Sequence, residues 1–145
     1  MQNTPFTLPT RVYWEDTDGG GVVYHARYVA FFERARSEWM RTLGYGQAQL
    51  RDEHDFLFVV RAMQLDFRKP ARLDDLLQVS VLVHQIRRAS LIITQAITRD
   101  GERLCDAEVK LAALRLSDFK PCVIPDWLHQ RLPLPLPTLS ESRPS

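Results

Sequence analysis

The feature that most constrains this chain is a change of hydrophobic period near residue 54. Upstream, Tyr28, Phe32, Ala35, Trp39 and Leu43 recur at helical spacing; downstream, apolar and polar residues alternate. Met63, Leu65 and Phe67 alternate with Gln64, Asp66 and Arg68 until Pro70 closes the run. Leu77, Val79, Val81 and Val83 repeat the pattern, followed by Leu91, Ile93 and Ile97, then by Cys105, Ala107, Val109, Leu111 and Ala113. The connectors are short. Arg99-Asp100-Gly101 reads as a tight turn, because Asp-Gly tolerates the positive φ that short hairpins need, and Arg87 to Ser90 reads as a second hairpin. Strands joined so closely pair antiparallel, since a parallel crossover takes roughly a dozen residues or more.

A short β-branched run, Phe6 to Trp14, predicts one further strand. The helical stripe predicts a long helix from about Tyr24 to Leu43, with Gly44 as its C-terminal stop. Val29 and Phe31 widen its apolar arc, so other elements wrap it over much of its girth. Gln47 to His54 reads as a polar loop. The expected architecture is α+β, one long helix laid on an antiparallel sheet of about five strands. With 145 residues and 45% hydrophobic content, a single domain with a real core is expected over residues 1–131. From Leu132 the chain turns Pro-, Leu- and Ser-rich, and residues 132–145 read as a mobile tail. No internal repeat is evident.

Charge narrows the function. Nineteen basic residues against eighteen acidic ones leave +1, which offers no field for holding nucleic acid. Mean hydropathy is −0.25 and no stretch is long enough to span a bilayer. Met1 to Pro9 lacks the cationic and apolar regions of a secretory signal, so a cytoplasmic protein is expected. Cys105 and Cys122 sit in no metal-ligand spacing and read as reduced thiols without catalytic duty.

Glu15 to His25 concentrates three acids, three glycines and a histidine just ahead of the buried helix. The first turn of a helix offers unpaired N–H groups and partial positive charge, suited to an anion or a polarised carbonyl oxygen. Gly19, Gly20 and Gly21 leave room for a substrate to approach. Asp18 borders them and could attack a carbonyl or activate water, while the helix start holds the oxyanion. The plainer alternative is that Asp16 or Asp18 simply caps the turn. A metal site of Asp16, Asp18 and His25 matches neither the calcium loop nor HExxH. The glycines form neither GxxxxGK[ST] nor GxGxxG, and no GxSxG exists. Among the histidines, His54, His84 and His129 read as structural or exposed; His25 alone has a suggestive context.

The segment RVYWEDTDGGGVVYHARYVAFFERARSEWM, followed by FVVRAMQLDFRKPARLDDLL, resembles the hydroxybenzoyl-CoA thioesterase family, closest to its bacterial branch associated with the Tol-Pal cell-envelope system. The resemblance runs to about Leu116. It implies the hotdog fold, a long central helix wrapped by a curved antiparallel sheet, assembled as a homodimer or homotetramer with sites at the interface. It implies hydrolysis of an acyl-CoA to free acid and coenzyme A, without metal or organic cofactor. By position, Asp18 matches the family's catalytic aspartate, as nucleophile or general base. The oxyanion donor falls on the backbone N–H of His25, and Tyr24-His25 is part of the motif. Gly20 and Gly21 would border the substrate, and Val59, Val60 and Arg61 would wall the acyl pocket across the dimer. Arg87, Arg88 and Ser90 resemble the site for the coenzyme A phosphates, with Ala89 standing where a lysine can occur. Phe56, Phe58 and Trp39 fit either a pocket or the core. Two rival functions stay open. A hotdog hydratase acts on the same thioesters. A noncatalytic module would bind acyl-CoA or acyl-carrier protein and dock onto envelope or lipid-synthesis enzymes.

Overall fold

The computed structural model describes residues 4–133 and 135. In chain order the elements are β1 (Phe6–Arg11), a 3-10 turn (Trp14–Asp16), α1 (His25–Thr42), α2 (Gln47–His54), β2 (Phe56–Phe67), β3 (Leu76–Ile86), β4 (Ser90–Arg99), β5 (Glu102–Arg115), β6 (Lys120–Pro121) and α3 (Asp126–His129). The sheet runs β1-β3-β4-β5-β2, antiparallel throughout, with β6 added to the end of β5. This is the hotdog arrangement: α1 packs on the concave face of a curled sheet. Among the described residues no helix is long and apolar enough to cross a membrane.

The period-two pattern explains the layers. On β3, Leu77, Val79, Val81 and Val83 are buried; on β4 and β5, so are Leu91, Ile93, Ile97, Val109, Leu111 and Ala113. They meet Tyr28, Phe31, Phe32, Ala35, Trp39 and Met40 of α1 in one cluster. Full burial of each large apolar side chain stabilises by roughly 1.5–3 kcal/mol, so this seam fixes the helix on the sheet. One polar pair crosses it. Buried Arg36 donates to Gln95 Oε1 at 3.0 Å, and Gln95 Nε2 donates to the carbonyls of Phe32 and Ser80. Burial lowers the Arg36 pKa, with Glu33 opposing it.

Several expectations need correction. Gln47 to His54 is a helix, not a loop: Leu50 is its only buried residue, too little to print a period, and Asp55 ends it in the left-handed conformation at φ 52°. The first strand stops at Arg11, and Trp14 lies on the 3-10 turn, 70% exposed, because the chain there bends around the Asp16 carboxylate. β2 starts at Phe56, well before Met63; a bulge at Arg61, between Val60 and Ala62, interrupts the alternation that would have revealed it. Phe56 and Trp39 are core, and Phe58 packs partly buried against it. Gly44 follows the last turn of α1 at φ 93°, as a helix stop requires. Leu132 is buried in the core; nearly all the expected tail lies outside the described residues.

Candidate active site

The two aspartates of the loop have separated roles. Asp16 is buried: its Oδ1 accepts from Arg27 Nε at 3.0 Å and Nη2 at 2.7 Å, and its Oδ2 accepts from Tyr13 N–H at 2.9 Å. Its carbonyl accepts from Tyr24 N–H at 3.0 Å. Asp16 therefore ties the strand exit, the helix cap and the first turn of α1 together. Asp18 is exposed, and its Oδ1 accepts from Gly20 N–H at 2.8 Å, an Asx-type turn. That bond orients the carboxylate while Oδ2 makes no hydrogen bond within the described residues. The plain capping role is therefore present, with the carboxylate left exposed to solvent.

The glycine loop is held from below by the turn after β2. Val23 N–H donates to Ala71 carbonyl at 2.8 Å, Leu73 N–H donates to Gly21 carbonyl at 3.1 Å, and Asp18 N–H donates to Val22 carbonyl at 3.0 Å. Gly19 and Gly21 adopt φ of 89° and 85°, the left-handed region that side chains disfavour. Ala71 N–H donates to the Tyr28 hydroxyl at 3.0 Å, and burial raises that phenol's pKa.

Helix α1 begins at His25 with no side-chain cap and no acid in its first turn. Arg27 N–H donates to the Tyr24 carbonyl at 2.8 Å, which leaves the N–H groups of His25 and Ala26 and the partial positive charge for an external acceptor. Exposed Tyr24 stacks obliquely on His25, ring centroids 4.6 Å apart, and Phe67 meets His25 edge-on at 6.4 Å. A depression of about 250 Å³ opens here, lined by His25, Phe67, Arg68, Lys69 and Pro70. Sequence reasoning missed Phe67 to Pro70, having treated them only as a strand end; the signal was an aromatic residue three positions before Pro70, where the strand must leave the sheet. Arg68 is engaged with Asp66 and Asp106, and Lys69 with Glu102.

One chain brings Asp18, Gly20, Gly21, Tyr24 and His25 together, and leaves the other expected site residues apart. Val59, Val60 and Arg61 lie midway along the open edge of β2, Val60 46% exposed. Arg87, Arg88 and Ser90 lie at the opposite end of the sheet, tied to the C-terminal segment by Ile124 N–H donating to Arg88 carbonyl. The ten residues of β4 separate the two ends by about 30 Å. Arg87 and Arg88 are exposed, and Arg87 Nη2 donates to Gln85 Oε1 at 3.3 Å. Among the described residues no metal-binding group of His, Cys, Asp and Glu side chains is found.

Comparison with known proteins identifies the family. Residues 12–132 match the family model of the thioesterase-like superfamily. The acyl-CoA thioesterase YbgC of Haemophilus influenzae is 45% identical over 125 residues, covering 86% of this chain and 92% of that protein. YbgC of Helicobacter pylori is 32% identical, over 84% of this chain and 96% of its own length. The crystal structure of a probable thioesterase from Bartonella henselae superposes with a TM-score of 0.80 at 36% identity, over 84% of this chain and all of that one. An acid-bearing glycine loop set against an uncapped helix start, on a sheet of this topology and with this sequence likeness, places the chain in the thioesterase-like superfamily of hotdog proteins.

Proposed function

We propose that the protein is an acyl-CoA thioesterase, hydrolysing the thioester to a free acid and coenzyme A, with Asp18 as the reacting carboxylate. The observation that carries the site assignment is the pairing of an exposed, oriented Asp18 with the uncapped start of α1. The His25 N–H and its helix dipole stabilise the oxyanion as charge develops on the carbonyl oxygen. Two routes use this arrangement. In one, Asp18 Oδ2 attacks the carbonyl carbon, the C–S bond breaks, the thiolate leaves and is protonated, and water cleaves the resulting mixed anhydride. In the other, Asp18 takes a proton from water, the hydroxide attacks, the same C–S bond breaks, and the leaving thiolate takes the proton back from Asp18. A burst of thiol ahead of acid marks accumulation of the anhydride and so the first route.

A second copy completes the site in this reading. β2 is an open edge, and in this reading it pairs antiparallel with the same edge of another copy so that exposed Val60 and Phe67 cover each other, with the two-fold between Met63 and Gln64. This brings Val59, Val60 and Arg61 of one copy beside His25 of the other, and carries Arg87, Arg88 and Ser90 toward the same mouth. Guanidinium groups there suit the phosphates of coenzyme A. The cytosol, where coenzyme A esters are handled, is the proposed compartment.

Thiol release from short, long and aromatic acyl-CoA esters, measured for wild type and Asp18→Asn, tests the proposal. Release that is lost in the folded variant supports it. Silence across the panel favours a binding module; hydration of an enoyl-CoA without thiol release favours a hydratase. His25→Ala with unchanged kinetics would confine His25 to its backbone N–H.

A further inference from the structure

The glycine loop has almost no side chains to pack, so its height over the helix start depends on the turn beneath it. That turn is itself held from one distant residue. Arg99, at the end of β4, donates from Nη1 to Asp75 Oδ2 at 2.7 Å and to Pro70 carbonyl at 3.4 Å, and from Nη2 to Glu102 Oε1 at 3.1 Å. The same Asp75 oxygen accepts Arg72 N–H at 2.8 Å. One carboxylate oxygen thus joins the guanidinium of the β4–β5 hairpin to the backbone of the 70–75 turn. The side chains of Arg99 and Asp75 are 24% and 20% exposed, more sheltered than the exposed ion pairs elsewhere, so water screens them less.

Above this anchor, consecutive residues of the turn grip the site. Ala71 binds Val23 through its carbonyl and Tyr28 through its N–H; Leu73 binds Gly21. Gly21 and Val23 flank Val22, whose carbonyl holds Asp18 N–H, and Tyr28 lies one turn along α1 from His25. The chain of contacts therefore runs unbroken from Arg99 through Asp75 and the turn to both reacting partners, the carboxylate and the helix start. Neither Arg99 nor Asp75 lines the depression beside His25.

We propose that Arg99 and Asp75 are positioning residues, setting the distance between Asp18 and the start of α1 without touching substrate. The proposal rests on the thioesterase reading. Reacting groups tolerate little displacement, and a shift of about 1 Å can cost on the order of a hundredfold in rate.

The test is the kcat and KM of Arg99→Gln, Arg99→Lys and Asp75→Asn, together with Arg99→Gln in an Asp18→Asn background. Arg99→Gln is expected to lower kcat about tenfold or more with KM held within about twofold, and Arg99→Lys, which keeps the charge but loses the fork that reaches Asp75 and Glu102 together, to recover only part of it. Asp75→Asn keeps an acceptor for Arg72 N–H and loses the ion pair, so it carries the test should the Arg99 variant be unstable. In the Asp18→Asn background, Arg99→Gln is expected to cost nothing further, because the group it positions is gone. Full kcat in folded Arg99→Gln and Asp75→Asn overturns the proposal, as does the same fold-loss in both backgrounds, the mark of a general brace. Wild-type turnover in Asp18→Asn alone would instead remove Asp18 from the chemistry.

Discussion

The two ends of the sheet are both polar and turn-rich, yet they are held in opposite ways. At one end the acid loop is gripped by backbone bonds to Ala71, Leu73 and Val22 and by the part-buried Asp16–Arg27 pair. At the other, the Arg87–Ser90 hairpin has its backbone anchored while its guanidinium groups stand in solvent. Rigid placement serves bond-making, where small displacements are costly. Loose cations serve capture of a flexible polyanion, where reach matters more than position. In the proposed reading, reaction and recognition are separated by a strand's length, and each end can be attacked alone.

The largest effect is expected at Asp18. Asp18→Asn preserves an acceptor for Gly20 N–H, so kcat should fall about a thousandfold while the thermal midpoint stays within a degree or so, read by thiol release and calorimetry. Next comes Asp16. Asp16→Ala leaves the Arg27 guanidinium and Tyr13 N–H without their partner, but Arg27 is 31% exposed and can recover water. A loss of roughly 2 kcal/mol in urea unfolding is expected, below that for a fully buried pair. At the far end, Arg87→Ala with Arg88→Ala should raise KM about tenfold with kcat unchanged, and added salt should shrink the difference. A fall in kcat there would erase the division between the ends.

The smallest effect compares two thiols. Cys105 pairs opposite Phe67 at the acid-loop end, and burial, then the neighbouring Asp106, pushes its pKa from 9.0 up to about 12. Cys122, near the hairpin, is raised too, again chiefly by burial, but it is only half-buried. A thiol reagent at pH 8 should label Cys122 well before Cys105 in the native protein. The sign for stability follows from the raised folded value: the Cys105 contribution is fully present below pH 9 and is lost as pH climbs toward 12. Equal labelling rates would mean the loop end opens as readily as the hairpin end.

The sheet was legible because its alternating residues report a single buried face, and α1 because its stripe is long. α2 was not, since Leu50 alone enters the core and one residue has no period. The start of β2 was hidden by the bulge at Arg61, which shifts every later side chain by one face. Asp18 and His25 stood out through density and family likeness. The Asp16–Arg27 pair did not: an eleven-residue separation matches no local rule and becomes a contact only when the loop folds back on α1. Arg99 and Asp75 were silent for the same reason, being joined across the sheet.

The open edge of β2 has a consequence for the life of the chain before it meets anything else. Twelve residues of strand present unsatisfied N–H and C=O groups beside Val60 and Phe67, a template for any extended polypeptide nearby. The bulge places the Arg61 charge at the middle of that row, where a strand lacking a matching kink would have to bury it unpaired. Arg61 thus works against promiscuous stacking of a newly made chain, and Arg61→Val should raise the fraction that precipitates as it is synthesised.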